Sequence, residues 1–152
     1  MTWLLLVIYF LGQSAERELV ELAAAREVRR YADLTGDVLF EPRVPDGDEW
    51  AVRRSAEQVR LLAELTHASL ADWDVQFACK PPPPEGCFLR DGIPIFLLTG
   101  PTIVGDSASV TVKTRRPSRG GRGRTYALDV EIILRKVEGR WVVVGPGQYR
   151  AT

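Results

Sequence analysis

Three features of this 152-residue chain predict an α+β fold. Residues 15–34 and 49–70 carry apolar side chains at helical spacing, while residues 107–149 carry them at alternate positions. Helices that come first and strands that follow as a meander give one helical layer packed on one antiparallel sheet. The third feature closes the meander: Glu138-Gly139-Arg140-Trp141 runs into three valines, a tight hairpin turn followed by a β-branched strand.

The elements follow in order. Residues 3–11 (Trp3 to Leu11) are an unbroken apolar run of nine. That is short of the about 20 residues needed to span a bilayer, so no stable membrane span is expected. It fits the core of a secretory signal peptide, with Gly12-Gln13-Ser14 supplying small residues for cleavage near Ser14. Only Met1-Thr2 precede it, without Lys or Arg, and a buried N-terminal strand or helix start is the other reading. The expected organisation is a signal peptide over 1–14, a single domain over 15–152, and a secreted or periplasmic location.

A first helix is predicted over 15–34, with Val20, Ala24, Val28 and Tyr31 on its buried face and Gly36 as its stop. A short strand or extended connection follows at 38–41. Pro45-Asp46-Gly47-Asp48 reads as a turn whose last residue caps a second helix over 49–70. The stripe of that helix is Val52, Ala56, Val59, Ala63, Thr66 and Leu70. From Trp73 the period becomes two, which predicts a half-buried strand over 73–79. Residues 88–98 read as extended, interrupted by Asp91-Gly92. Three clear strands complete the chain, with Gly145-Pro146-Gly147 ending the last.

Composition narrows the function. Acidic and basic residues balance at 20 each, so the chain lacks the basic excess of a nucleic-acid binder. Cys79 and Cys87 flank a loop with four prolines and Gly86. A disulfide between them would stabilise by roughly 2.5 kcal/mol in the chain-entropy model and would persist in an oxidising compartment. Free core thiols are the alternative. Seven intervening residues and no nearby His make a poor zinc site, so no metal and no cofactor are expected.

The helix-then-meander order resembles the nuclear-transport-factor-2-like superfamily. The resemblance is carried by the run from Ile132 to Val144 with its Glu138-Gly139 turn and Trp141, and by the turn at Gly105-Asp106 into a long strand. It implies N-terminal helices packed in the concavity of a strongly bent antiparallel sheet, a cone with a pocket, over residues 15–149. Cystatin-like domains are the rival, implying an assembly or inhibitor module. The superfamily hosts ketosteroid isomerases, polyketide cyclases and binding domains alike, so fold leaves function open. In such a cone Tyr31, Trp73 and Tyr126 are expected at the pocket wall.

Catalysis finds little support in the residues. His67, the one histidine, sits with Arg60 and Glu64 on a polar helical face and reads as solvated. Asp129 and Glu131 alternate with Leu128, Val130 and Ile132, which sends both carboxylates to the outer face of the sheet. Asp72 and Asp74 straddle Trp73 in the same way. The loop at 113–124 is more unusual: Lys113 with Arg115, Arg116, Arg119, Arg122 and Arg124 contains no acid. It reads either as an arm contacting a phosphate, an acidic partner or a lipid headgroup, or as a solvated hairpin guarding the sheet edge. The expectation is therefore an exported, non-catalytic binding domain for a small apolar ligand or a protein partner, with homodimerisation through the sheet as a further option. A pocket enzyme of the isomerase or cyclase type is the alternative.

Overall fold

The computed structural model describes residues 2–51, 54–79, 87–89, 91–117 and 125–151, with side chains given outside 2–10, 77–79, 87 and 88. The architecture is α+β: N-terminal helices packed on a large curved sheet. Helix α1 (Thr2–Ala25) and the single turn α2 (Val28–Tyr31) lead. Short strands β1 (Leu39–Glu41), β2 (Val44–Asp46) and β3 (Glu49–Ala51) precede α3 (Ala56–Thr66). Then come β4 (Ser69–Leu70), α4 (Trp73–Gln76), β5 (Phe77–Cys79), β6 (Cys87–Leu89), β7 (Ile95–Leu98) and β8 (Thr102–Val104). The long strands β9 (Ser107–Pro117), β10 (Thr125–Val137) and β11 (Arg140–Ala151) finish the chain.

The main sheet runs β11-β10-β9-β7-β1-β4, with β8 also on β9. It is mixed rather than purely antiparallel, because β1 pairs in parallel with both β4 and β7. The meander has the expected register: Val130 opposes Val112, Ile132 opposes Val110 and Leu134 opposes Ala108. Two register shifts between β10 and β11, near Ile132 and Leu134, bend the sheet where the strands are longest. They also carry β11 through Gly145-Pro146-Gly147 to Ala151, past the predicted end.

One core holds the two layers together. Val20, Ala24 and Val28 from the helices meet Phe40, Phe96 and Leu98 and the inner row Val110, Val112, Val130, Ile132 and Leu134. Phe40 and Phe96 stack with ring centroids 5.0 Å apart. Each of the large side chains contributes about 1.5–3 kcal/mol through its burial. On the other face, Ile95 and Leu97 of β7 are also buried, and β6, whose Leu89 is buried, contacts β9 and β10.

Three predicted elements differ. The first helix extends back to Thr2 and stops at Ala25. No proline interrupts residues 2–25, so the helix propagates through the apolar run. Asp33, at φ 50°, rather than Gly36, turns the chain out of α2, with Leu34 N–H donating back to the Arg29 carbonyl. The second helix is shorter than 49–70. Gly47, at φ 63°, makes a β2–β3 hairpin of residues 44–51 instead. Ser55 then caps α3, accepting from Gln58 N–H, in place of Asp48. The buried face of α3 is Gln58, Leu62 and Thr66: Thr66 lies on the predicted stripe, and Gln58 and Leu62 stand one position before its Val59 and Ala63. Finally, residues 73–76 form a helical turn before β5, because the Asp72 side chain accepts from Asp74 N–H and the Glu41 carboxylate accepts from Trp73 N–H.

Candidate polar groove on the outer sheet face

Alternation along β9 and β10 divides their side chains between two faces. Ala108, Val110, Val112, Thr114 and Arg116 point to the helices, and Ser109, Thr111, Lys113 and Arg115 point away. Asp129 and Glu131 share the outward face, as their alternation with the apolar row predicts. Register brings Lys113 opposite Asp129 on one side, and Arg150 of β11 opposite Asp129 on the other. A groove of about 250 Å³ opens there, lined by Thr99, Thr111, Lys113, Asp129, Glu131, Gln148 and Arg150.

The groove is charged but not internally neutralised by pairing. Asp129 lies 3.6 Å from the Arg115 guanidinium, too long for a hydrogen bond, and its Oδ1 is buried without one. Among the described residues, Lys113, Glu131 and Arg150 form no ion pair. Thr99 and Thr111 stiffen the rim: Thr99 N–H donates to the Thr111 carbonyl and Thr111 N–H donates to Thr99 Oγ1. Gly147 lets β11 pass close to Glu131. A Cβ at that position would stand 3.0 Å from Glu131 Oε2 and from Ile133. Further along these strands, towards the β10–β11 turn, Val137, Val142 and Val144 are about half exposed.

The predicted pocket residues do not share a wall. Trp73 lies under the Arg115 guanidinium, 5.4 Å from its ring centroid, on the outward face. Tyr126 is paired with Arg116 in the ladder and lies 5.9 Å from that guanidinium, on the helix side. Tyr31 packs on the core from α2. The cause is the parity of Arg115 and Arg116, which sends neighbours in sequence to opposite faces. None of the described cavities is lined by Tyr31, Trp73 or Tyr126. Of the arginine-rich loop, Arg115 and Arg116 are placed, and Arg119, Arg122 and Arg124 lie outside the described residues.

Buried carboxylates are held by arginines. Glu21 and Arg54, both almost fully buried, pair at 2.8 Å. Arg54 also donates to the carbonyls of Pro42 and Leu98, and Gln58 donates to the Glu18 carbonyl beside them. Glu41, with no exposure, accepts from Arg43 Nε at 2.8 Å, from Arg43 N–H and from Trp73 N–H. That contact raises the Arg43 guanidinium above its ordinary range, despite some desolvation, with Asp72 and Asp74 adding to it. Arg43 in turn stacks on Trp50, 4.4 Å from the ring. His67 is exposed and ends α3 in a left-handed conformation at φ 50°. Among the described residues no group of three or more His, Cys, Asp or Glu could hold a metal.

The cysteines oppose each other. In the β5–β6 pair Cys79 faces Cys87 directly across the strands.

No family model matches the chain, and no curated protein does. Among solved structures, the chain is similar to a designed nuclear-transport-factor-2-like protein at 14% identity, over 91% of this chain and 96% of that one, with a TM-score of 0.29. The fold described above rests on strand pairing and burial, not on that likeness.

Proposed function

We propose that this chain is a non-catalytic binding domain that docks a second copy of itself through the outer face of β9–β11. The observation that carries this reading is the groove whose Lys113, Glu131 and Arg150 have no ion-pair partner among the described residues. Its lining holds two acids and two bases, so a copy related by a two-fold axis can set each sign against the other. Towards the β10–β11 turn, Val137, Val142 and Val144 supply apolar area that the monomer leaves in water. A net charge near zero adds no long-range repulsion between copies.

The other functions draw less support. A small apolar ligand needs a vacant interior, whereas the helix side is occupied by Phe40, Phe96, Leu98 and Ile132, all without exposure. An isomerase-type enzyme needs an unpaired carboxylate in apolar surroundings. Among the described residues the buried acidic residues are Glu21 and Glu41, and both are committed to arginines.

Export belongs to the same proposal. Residues 11–15 of α1 are exposed, and its first ion pair among the described residues is that of Glu16 with Lys136 at 2.7 Å. Cleavage near Ser14 would leave the core-forming part of the helix in place. Directly opposed residues of an antiparallel pair stand about 4.5–5.5 Å apart at Cα, within the range a disulfide spans, so β5 and β6 suit a Cys79–Cys87 bond.

A charge-swap series tests the docking face. Lys113→Glu should weaken self-association at least tenfold, and adding Glu131→Lys should restore part of it. Association unaffected by either variant would overturn the proposal.

A further inference from the structure

We infer that the groove between α1 and the β10–β11 turn binds a small amphiphilic anion, a short alkyl chain ending in a carboxylate. The site lies on the helix side, at the edge of the packed interior rather than within it. It does not rest on the self-docking face.

One helix stripe and one turn make the walls. Leu19, Leu22 and Ala23 share a face of α1, and Arg26 follows on that face just past the helix end. Gly139, Arg140 and Trp141 close the other side. Gly139, at φ 77°, turns the chain tightly from β10 into β11. Alternation along β11 then sends Trp141 to the helix side and Val142 outward. The walls enclose a groove of about 240 Å³. Its floor is apolar: Leu22, Ala23 and Trp141 pack on the core from partly buried positions, and Leu19 is 58% exposed. Trp141 Nε1 is itself buried, so the indole presents ring carbon to the groove.

The rim carries the charge. Arg26 and Arg140 both line the groove, and no acidic residue does. Both are exposed, and neither guanidinium has an ion pair or hydrogen bond among the described residues. Lys136, 5.6 Å from the Trp141 ring, is already matched by Glu16 at 2.7 Å. Two unmatched guanidinium groups beside an apolar floor select an occupant with a negative head and an apolar tail. Volume sets the length of that tail. Drug-sized sites hold about 300–1,000 Å³, so this groove takes something smaller. A methylene fills about the same space as a water, roughly 30 Å³, which leaves room for a chain of about eight carbons.

The test is calorimetric titration of the purified full chain with butyrate, octanoate and octylammonium, all below their micelle concentrations. Wild type is compared with the double variant Arg26→Glu/Arg140→Glu, whose changes fall on exposed side chains. Octanoate should bind wild type with a Kd of about 0.1–1 mM. Butyrate should bind roughly tenfold more weakly or worse, since it buries fewer methylenes. Octylammonium should bind about fivefold more weakly than octanoate, and the double variant should reverse that order. Octanoate brominated at its terminal carbon should quench tryptophan fluorescence in wild type and far less in Trp141→Phe. Should Trp141→Phe fail to fold, Leu19→Glu at its exposed position decides, with octanoate affinity falling about fivefold. No octanoate binding to wild type up to about 10 mM overturns the site. So does an octanoate preference that survives the double variant, quenching unchanged in Trp141→Phe, or affinity unchanged in Leu19→Glu. Uptake onto phosphatidylglycerol vesicles without octanoate binding would assign this face to a lipid surface and contradict the groove.

Discussion

Arg54 is the residue on which the helix layer and the sheet most depend. It joins Glu21 of α1 to the carbonyls of Pro42 and Leu98, so three segments meet at one guanidinium. Arg54→Met should cost about 3–5 kcal/mol in urea unfolding, because Glu21 is left buried and unpaired. Adding Glu21→Gln should recover part of the loss, and an additive double variant would show that the pair is not coupled. At this scale the sequence was readable for direction and unreadable for partnership. The alternation around Asp129 and Glu131 correctly sends both outward. The meeting of Asp129 with Lys113 and Arg150 depends on strand register, which the turns and two register shifts set, one of them at Glu131 itself, and alternation does not reveal it. Arg54 gave no signal, since its partner Glu21 lies 33 positions away.

The elements divide in the same way. Strands β9 to β11 were legible because long alternation with β-branched residues has one reading. Residues 49–55 were not, because Glu49, Trp50, Ala51 and Val52 also fit a helical stripe, and Gly47 decided between hairpin and helix. Residues 73–76 alternate like a strand, yet their backbone follows the buried Glu41 carboxylate, a tertiary partner that no local pattern contains. Two predictions belong here. If 1–14 is a removable leader, a chain of residues 15–152 should keep its stability within about 0.5 kcal/mol of the full chain in urea unfolding; a larger loss would place that segment in the fold. After secretion into an oxidising compartment, the intact mass should be two hydrogens below that of the reduced chain, with the difference abolished in Cys79→Ser. Identical masses would mean free thiols at Cys79 and Cys87.

For the whole molecule, the distribution of charge and apolar surface matters more than the fold's outline. The helix side of the sheet is spent on the core. The outer side divides: near β7 it is buried, and across β9, β10 and β11 it holds a groove of mixed charge, with exposed valines towards the β10–β11 turn. A face of that kind can support specific self-docking while the free chain stays in solution, since its acids and bases are hydrated until matched. The most direct measurement is sedimentation equilibrium of the purified chain over a concentration series, alongside Lys113→Glu. Docking through the outer face should give twice the 17.0 kDa chain mass for the full-length wild type at high concentration, and a monomer for the variant with an unchanged circular dichroism spectrum. A wild type that stays monomeric throughout, or a dimer that the variant leaves intact, would contradict it.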